Sequence, residues 1–265
     1  MSTLTIFTPT FNRAYILPVL YKSLTLQSYR DFTWLVVDDG SSDETKQQVK
    51  SWMKEGKLQI QYIYQENMGM VAAHNTALEH ISTELAVCID SDDYMPSDAV
   101  EKILKTWEHN ASDKNMGLVG LDIYKSGKVI GDSFPCNLMQ LTFSELKHKY
   151  KIKGDKKYVL RMDLVKKFLP YPYIEGEKFP APSYLYLLLE KNYKFIALNE
   201  PLCVVEYLPD GNSMNKMKQY RESPNAFALF RLVTMECAYN YKDRFRQAIH
   251  YTSSKMLGNK KGVFK

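Results

Sequence analysis

Residues 85–93 read Leu-Ala-Val-Cys-Ile-Asp-Ser-Asp-Asp, a short apolar run that ends in three carboxylates. Earlier apolar or β-branched runs at residues 4–7, 33–37 and 60–64 also end in polar clusters, and amphipathic segments separate the four runs. Strands that alternate with helices are typical of a parallel sheet covered by helices on both faces. The sequence therefore predicts an α/β fold with a doubly wound, mostly parallel sheet.

Helical periodicity supports this interpretation between the strands. In residues 14–27 the apolar side chains recur at i, i+3, i+4 and i+8 from Ile16, the spacing of a helix with one buried face. Ser41 and Glu44 have the spacing of a capping box that opens the next helix, and Gly56 follows its end. The remaining helices of this half are predicted at residues 71–81 and 96–110.

Four polar clusters at strand ends carry the main functional signal. The carboxyl ends of strands in an open doubly wound sheet form the crevice where ligands bind, so we expect these clusters to meet in one site. Each cluster taken alone also fits an ordinary turn or helix cap. The four clusters are Thr8 to Arg13, Asp38 to Ser42, Asn67 to Gly69 and Asp90 to Asp93.

The acidic cluster at residues 90–93 predicts a cation site. Carboxylates this close repel one another unless a cation neutralises them, and oxygen ligands favour Mg²⁺ or Mn²⁺ bridging a substrate diphosphate. Asp92 is the predicted metal ligand. The alternative is a solvated turn in which Ser91 or Asp93 caps the following helix.

The second half of the chain changes character. It predicts a hairpin at residues 118–130, a helix at 144–150, a strand at 157–162, a helix at 184–191 and strands at 194–198 and 202–207, which is a mixed α+β pattern. Residues 215–265 are predicted to be helical and carry 11 Lys and Arg against 3 Asp and Glu. Three parts are expected: residues 1–115, 116–214 and 215–265.

The composition of the chain limits the classes of protein to which it can belong. The chain has 265 residues, of which 45% are hydrophobic, so a sizeable core forms without disulfide support. Its four cysteines include no CxxC pair and are expected to be reduced thiols in the cytoplasm. No apolar run is long enough to span a membrane, and residue 1 leads into a strand rather than a signal peptide.

The ordered set of motifs resembles the family 2 glycosyltransferases of GT-A fold over about residues 3–110. It comprises Thr-Pro-Thr-Phe-Asn-Arg at 8–13, Val-Val-Asp-Asp-Gly-Ser-Ser-Asp at 36–43, Gln-Glu-Asn-Met-Gly at 65–69 with Ala-His-Asn at 73–75, and Ile-Asp-Ser-Asp-Asp at 89–93. The resemblance implies inverting transfer of a sugar from a UDP-sugar to an acceptor hydroxyl. It also makes residues 1–115 the nucleotide-sugar half of the domain and residues 116–214 the acceptor half.

The resemblance also implies roles for individual residues. Asp39 would bind the uracil, Asp90 would face the ribose or the donor sugar, and Asp92 would bind Mn²⁺ or Mg²⁺. His74 stands where many relatives have Arg, and it has either a phosphate contact or an ordinary place on the helix. Lys218 and Arg221 would reach the diphosphate, or lie on a solvated basic helix. The full set of expected donor contacts is Thr8, Pro9, Asn12, Arg13, Asp39, Asn67, Gly69, Asn75, Asp90, Ser91 and Arg221.

The general base of the predicted mechanism has three candidates. Inversion needs a base that removes the acceptor proton on the face opposite the nucleotide. The carboxylate that many relatives carry near the position of Pro182 is missing here. Glu177 or Glu175 is the predicted base and Glu206 a third candidate, unless the two loop glutamates are merely exposed charges. The alternative function is a degenerate member that binds a nucleotide sugar or glycan without turnover.

The basic C-terminal segment suggests a partner. A basic amphipathic helix fits an anionic membrane surface, and this would suit a lipid-linked acceptor in bacterial capsule or cell-wall polysaccharide synthesis. Packing onto the catalytic domain or onto a second subunit of a homo-oligomer is the alternative. Nucleic acid is not an expected partner, because no recognition fold or base-stacking aromatic residues accompany the charge. The expected location is the cytoplasm, at the inner face of the cell membrane.

Overall fold

An eight-stranded sheet forms the centre of the computed structural model, which describes residues 3–172, 174, 176–177, 182–206 and 216–263. The strands are β1 (Leu4–Thr10), β2 (Phe32–Asp38), β3 (Gln59–Tyr64), β4 (Leu85–Cys88), β5 (Asn115–Ile123), β6 (Gln140–Leu141), β7 (Lys156–Arg161) and β8 (Lys194–Val204). Their order across the sheet is β3-β2-β1-β4-β7-β5-β8-β6. Only β6 and β7 run against the other strands, so the predicted mostly parallel α/β sheet is confirmed.

Helices cover both faces of this sheet. They are α1 (Leu17–Thr25), α2 (Thr45–Glu55), α3 (Met70–His80), α4 (Ala99–Asn110), α5 (Phe143–His148), α6 (Met162–Val165), α7 (Ser183–Leu189), α8 (Lys216–Glu222), α9 (Pro224–Glu236) and α10 (Tyr241–Val263), with a 3-10 helix at Lys166–Phe168. Among the described residues, no helix combines the length and the hydrophobicity needed to cross a membrane.

The two faces of the sheet bury separate apolar clusters. Helices α1, α2 and α4 pack on one face, where the stacked rings of Tyr21, Trp34 and Trp52 join β2 to α1 and α2. Helices α3, α5, α6, α7 and α9 contribute to the cluster on the other face. All seven residues of β2 are buried, as expected for a central parallel strand covered from both sides.

The order of the strands creates a topological switch point beside β1. This strand pairs in parallel with β2 on one side and with β4 on the other, so the chain leaves β1 in one direction and later returns on its opposite side. The loops that follow β1 and β4 must then diverge, which opens a crevice at the carboxyl edge of the sheet. The first four strands and the helices between them lie within a few residues of their predicted positions.

Several local predictions are wrong. Ser41 and Glu44 do not form a capping box; α2 begins at Thr45, whose N–H and hydroxyl both donate to Asp43 Oδ1. The Asp43 carboxylate thus accepts from the first residue of α2, and the helix begins three residues later than predicted. At the other end Gly56 takes the left-handed conformation (φ 64°) of a helix C-cap, as predicted.

The second half of the chain also departs from the prediction in detail. The expected strands at 194–198 and 202–207 form one strand, β8, whose register with β5 shifts at three points. The return strand of the expected hairpin is reduced to a single bridge between Ile123 and Val129. Residues 216–222, 224–236 and 241–263 are helical, as predicted for the basic C-terminal segment.

Candidate functional site

Asn12 joins the loop after β1 to the loop after β2. Its backbone has a positive φ of 53°, a conformation that Asn tolerates better than most residues. Its N–H donates to Ser41 Oγ at 2.8 Å, and its Oδ1 accepts from the Ser42 N–H at 2.8 Å. The Ala14 N–H adds a bond to Asp43 Oδ2 at 3.0 Å. These bonds fix the first two strand-end loops against each other.

Asp39 joins the loop after β2 to the loop after β3. Its Oδ1 accepts from Gln65 Nε2 at 2.7 Å and the Met68 N–H at 3.0 Å, and its Oδ2 accepts from the Gly69 N–H at 2.8 Å. The carboxylate is only 5% exposed, and these donors replace the water it loses on burial. Asp39 thereby holds the start of α3, where Gly69 is the N-cap.

Gly40 shows how closely these loops approach each other. It adopts φ 85°, and a Cβ at this position would lie 2.7 Å from the Asn67 N atom. Only glycine meets both the backbone conformation and the space. The neighbouring Asp38 is fully buried and accepts from the Ser41 N–H at 2.8 Å and from the Tyr62 hydroxyl at 2.5 Å.

In the acidic loop after β4, two carboxylates are accessible to solvent and one is buried. Asp90 is exposed, Asp92 is half-buried, and Asp93 is only 5% exposed. The Asp93 N–H donates to the Asp90 carbonyl at 3.0 Å, which closes the turn. Asp90 and Asp92 thus remain accessible at the carboxyl edge, whereas Asp93 faces inward.

Asp93 ties the acidic loop to the second half of the chain. Its Oδ2 lies 3.7 Å from Lys157 Nζ on β7 and accepts from Cys203 Sγ at 3.6 Å, while its Oδ1 accepts from the Glu206 N–H at 3.3 Å. Burial raises the pKa of Asp93 to about 7, although Lys157 acts to lower it. The loop is therefore anchored to β7 and to the end of β8.

Lys157 is the cation of a buried charge cluster. Burial alone would lower the pKa of its ammonium group, but Cys203, Asp122, Asp93 and Asp90 raise that pKa well above its ordinary value. Burial also raises the pKa of Asp122, which is 3% exposed. Within the described part of the chain, Asp122 Oδ1 has no hydrogen-bond partner. The positive charge of Lys157 thus interacts favourably with several carboxylates behind the crevice.

The accessible carboxylates fit a divalent cation held jointly with a substrate. The described residues contain no group of three or more His, Cys, Asp or Glu arranged to hold a metal alone. Mg²⁺ is usually bound by one or two carboxylates together with substrate phosphates and water. Asp92, with Asp90 beside it, supplies such a donor set. A cation there would stabilise the charge that develops on a diphosphate leaving group.

Two residues expected to touch the donor, Thr8 and Asn75, have other partners in the structure. Thr8 is fully buried and its Oγ1 accepts from Trp34 Nε1 at 3.0 Å, so its side chain belongs to the core. Asn75 pairs with the backbone of Tyr171, through Nδ2 to the carbonyl at 3.1 Å and the Tyr171 N–H to Oδ1 at 2.7 Å. This amide therefore fastens the backbone of Tyr171 to α3.

His74 takes the ordinary place on its helix, not a phosphate contact. It is 7% exposed, its ring meets Phe7 edge-on at 5.5 Å between centroids, and its Nε2 lies 3.9 Å from Cys88 Sγ. Burial lowers the pKa of the imidazole, although Asp90 acts to raise it. A neutral, buried ring has no charge to offer a phosphate.

The remaining expected donor contacts differ in exposure. Asn67 is exposed, and Pro9 near the end of β1 is half-buried. Arg13, in the loop after β1, is also half-buried, and its Nη1 donates to the Tyr15 hydroxyl at 2.6 Å. Ser91 is buried at 7% exposure. Arg221 is exposed on α8, as is Lys218, and this helix packs against α9.

Glu177 has a structural role that its sequence context did not reveal. Its Oε1 accepts from the N–H and the Nδ2 of Asn225 at 3.1 and 2.9 Å, and its Oε2 accepts from the Ala226 N–H at 2.6 Å. These amides form the first turn of α9, where a carboxylate is favoured by the unpaired N–H groups and the helix dipole. This corrects the predicted role: both oxygens cap a helix and are not free to accept a substrate proton.

Of the other two candidates for the general base, the structure describes only Glu206. Glu175 lies outside the described residues. Glu206 is exposed immediately after β8, and its N–H bond to Asp93 places it beside the acidic loop.

Sequence reasoning missed Lys157 and Asp122. A signal was present for Asp122, which is the one charged residue of the otherwise apolar run 116–123, whereas Lys157 stands in a strand that also holds Lys156 and Arg161. A charge in such a position is rarely buried unless it is paired.

The family model for glycosyl transferase family 2 matches residues 5–163, which include all four strand-end loops of the crevice. The chain belongs to glycosyl transferase family 2. Glycosyltransferase GlyA of Streptococcus pneumoniae is 35% identical over 102 residues, 38% of this chain and 14% of that protein. The GalNAc(5)-diNAcBac-PP-undecaprenol beta-1,3-glucosyltransferase of Campylobacter jejuni is 33% identical over 107 residues, 40% of this chain and 34% of that protein. The matched region thus spans a minor part of each relative.

Solved structures share the fold of this chain. Residues 1–349 of S. aureus TarS superpose with a TM-score of 0.68 at 19% identity, covering 96% of this chain and 71% of that one. The same TarS fragment has been solved with UDP and with UDP-GlcNAc. The mannosyltransferase PcManGT of Pyrobaculum calidifontis, solved with GDP-Man and Mn²⁺, superposes at 0.60 with 17% identity, covering 96% and 75%. The GT-A fold expected from the motifs is confirmed.

Proposed function

We propose that this glycosyltransferase moves a sugar from a UDP-sugar to a hydroxyl of a glycan or lipid-linked acceptor, with inversion and with Mn²⁺ or Mg²⁺. The observation that carries the proposal is the crevice itself. Asn12 and Asp39 lock three strand-end loops together, and the accessible carboxylates of Asp90 and Asp92 lie beside them at the switch point between β1 and β4. A nucleotide diphosphate with its cation suits this combination of polar backbone and paired carboxylates.

The donor assignment draws support from proteins of the same fold. TarS has been solved with UDP and UDP-GlcNAc, and PcManGT with GDP-Man and Mn²⁺. By its name, the Campylobacter relative is a glucosyltransferase acting on an undecaprenol-linked glycan. A Staphylococcus epidermidis relative, 30% identical over 110 residues, is named a teichoic acid poly(glycerol phosphate) polymerase. We infer a cytoplasmic role in bacterial surface-polysaccharide synthesis.

Each part of the crevice has a distinct task in this proposal. Asp92 holds the cation on the diphosphate, and Asp90 faces the ribose or the donor sugar. Asp39 and Asn12 act mainly by fixing the loops, so that Pro9, Arg13 and Asn67 present preorganised contacts to the nucleotide. Preorganised groups need little rearrangement as charge develops on the leaving group, and this lowers the reaction barrier.

We propose Glu206 as the general base. Its carboxylate is exposed at the carboxyl edge of β8, next to the anchored acidic loop, whereas the carboxylate of Glu177 caps α9. An inverting transfer needs one carboxylate free to accept the acceptor proton. Transfer by Glu206→Gln should fall by at least about 100-fold, the lower end of what a positioned base contributes. If Glu206→Gln transfers normally, the role passes to Glu175.

A second candidate function is binding of a nucleotide sugar or glycan without turnover. It is favoured by the capping role of Glu177 together with the absence of a carboxylate near Pro182. The two functions share the donor site and differ in whether the sugar is ever released from UDP.

Release of UDP from a panel of UDP-sugars in the presence of Mn²⁺, with and without candidate acceptors, tests the proposal. We expect one sugar to be released by the wild type and at least about 100-fold more slowly by Asp92→Asn, as for loss of a major electrostatic contact. Asp31→Asn, an exposed carboxylate just before β2 at the opposite edge of the sheet, is the matched control and should match the wild type. UDP binding without release of any sugar would favour the second candidate, and equal rates for both variants would remove Asp92 from the metal site.

A further inference from the structure

Helix α10 is amphipathic in an unusual sense, because it buries its polar face and exposes its apolar one. Asp243, Gln247 and Ser254 are 5%, 7% and 0% exposed, and their spacing of i, i+4 and i+11 places them on one side of the helix. Gln247 Oε1 accepts from Arg231 Nη1 of α9 at 2.8 Å, and Ser254 Oγ is 3.1 Å from the Tyr220 hydroxyl of α8. The polar face therefore attaches α10 to the protein.

The opposite face carries a stripe of large apolar side chains, here called the α10 stripe. It consists of Tyr241, Phe245, Ile249 and Met256, which are 88%, 67%, 55% and 62% exposed. Their spacing of i, i+4, i+8 and i+15 aligns them along about 22 Å of helix, at 1.5 Å per residue. Exposed Thr252 lies between Ile249 and Met256, and its hydroxyl donates to the Ala248 carbonyl at 3.0 Å. A row of exposed apolar side chains on one helix face marks an interaction site more often than isolated exposed residues do.

Cations border the α10 stripe on both sides. Successive helix residues are rotated by about 100°, so Lys242 and Arg246 lie along one border and Arg244 and Lys255 along the other. All four side chains are exposed. The only acidic residue among residues 241–258 is Asp243, which faces inward and pairs with Arg246 at 2.6 Å. The exposed side of the helix thus combines apolar residues at its centre with positive charge at its edges.

We propose that the α10 stripe is the surface by which this protein binds an anionic lipid bilayer. The apolar side chains would enter the boundary between headgroups and acyl chains, and the bordering cations would meet lipid phosphates. Charge complementarity favours this occupant over a second copy of the chain. A two-fold pairing of stripes would bring the basic borders of the two copies against each other.

Vesicle co-sedimentation of the full chain tests this proposal. The wild type should bind phosphatidylcholine vesicles that contain phosphatidylglycerol and leave pure phosphatidylcholine vesicles unbound. Phe245→Glu/Ile249→Glu should abolish binding. Removing two border cations in Arg244→Gln/Lys255→Gln should weaken binding about 30-fold, since each cation near an anionic surface contributes about 1 kcal/mol.

A matched control separates the α10 stripe from general surface hydrophobicity. Val19 and Met53 are exposed apolar residues on α1 and α2, so Val19→Glu/Met53→Glu makes the same change in charge elsewhere and should bind vesicles like the wild type. Circular dichroism checks that each variant is folded. UDP release without vesicles should be the same for every variant, so this test is independent of the glycosyl-transfer proposal.

Two results would overturn the proposal. One is equal sedimentation of the wild type and the α10 stripe variant with anionic vesicles. The other is a wild-type dimer by light scattering that the stripe variant converts to a monomer, without vesicle binding by either protein.

Discussion

Replacing Glu177 by Gln tests whether this side chain caps α9 or acts as the general base. The amide keeps one acceptor oxygen but places an NH₂ group where the other oxygen now accepts from Asn225 or Ala226. The first turn of α9 then loses one hydrogen bond and the favourable charge at the helix start. From typical values of about 1 kcal/mol for a cap and about 0.5–1 kcal/mol for the charge, the free energy of unfolding should fall by about 2 kcal/mol.

For a chain of this size, a loss of about 2 kcal/mol lowers Tm by about 4–8 °C. Calorimetry measures this shift, and Glu108→Gln, an exposed glutamate on α4, should change the free energy of unfolding by less than about 0.5 kcal/mol. Sugar transfer by Glu177→Gln, assayed well below its Tm, should stay within a few-fold of the wild type. A wild-type Tm combined with a 100-fold loss of transfer would refute the capping assignment and restore Glu177 as the base.

Three further predictions concern the groups that hold the crevice together. Lys157→Met should lower the free energy of unfolding by about 3–5 kcal/mol in urea titrations, because buried Asp93 and Asp122 lose their cation; a loss below about 1 kcal/mol would show that the cluster is hydrated. Asp39→Asn should weaken UDP binding while lowering stability by about 2 kcal/mol, since one of its backbone partners is left unpaired; unchanged affinity would contradict its role in fixing the loops. The raised pKa of Asp93 means that the native state holds its proton up to about pH 7 while the unfolded state releases it near pH 4. In EDTA, its contribution to stability should therefore fall as the pH rises from about 4 to 7, and Asp93→Asn should remove that part of the slope; an unchanged slope would contradict the burial argument.

Local patterns predicted the sheet and the crevice because both depend on short stretches of chain. An apolar run followed by Asp38 and Asp39, or by Asp90, predicts a strand and the polar loop at its end without reference to the rest of the molecule. The parallel arrangement then brings those loops to one edge. For this reason the four clusters and their common location were predictable, and the structure confirms their convergence.

The partners of individual side chains depend on contacts that sequence spacing does not encode. Asn75 binds the backbone of Tyr171, and Glu177 binds amides of α9 about 48 residues further along the chain. Nothing in the neighbourhood of either residue distinguishes a polar side chain used for packing from one that faces a ligand. The buried charge around Lys157 also arises from strands that become neighbours only when the sheet forms.

Calorimetric titration of UDP into the protein with Mn²⁺, and again after addition of EDTA, tests the central claim most directly. The account predicts one UDP site whose affinity falls at least about 10-fold in EDTA, a loss of about 1.4 kcal/mol, and falls similarly in Asp92→Asn with Mn²⁺ present. The absence of UDP binding under every condition would contradict the assignment of the crevice to a UDP-sugar. Equal affinity with Mn²⁺ and with EDTA would contradict a cation held between Asp92 and the diphosphate.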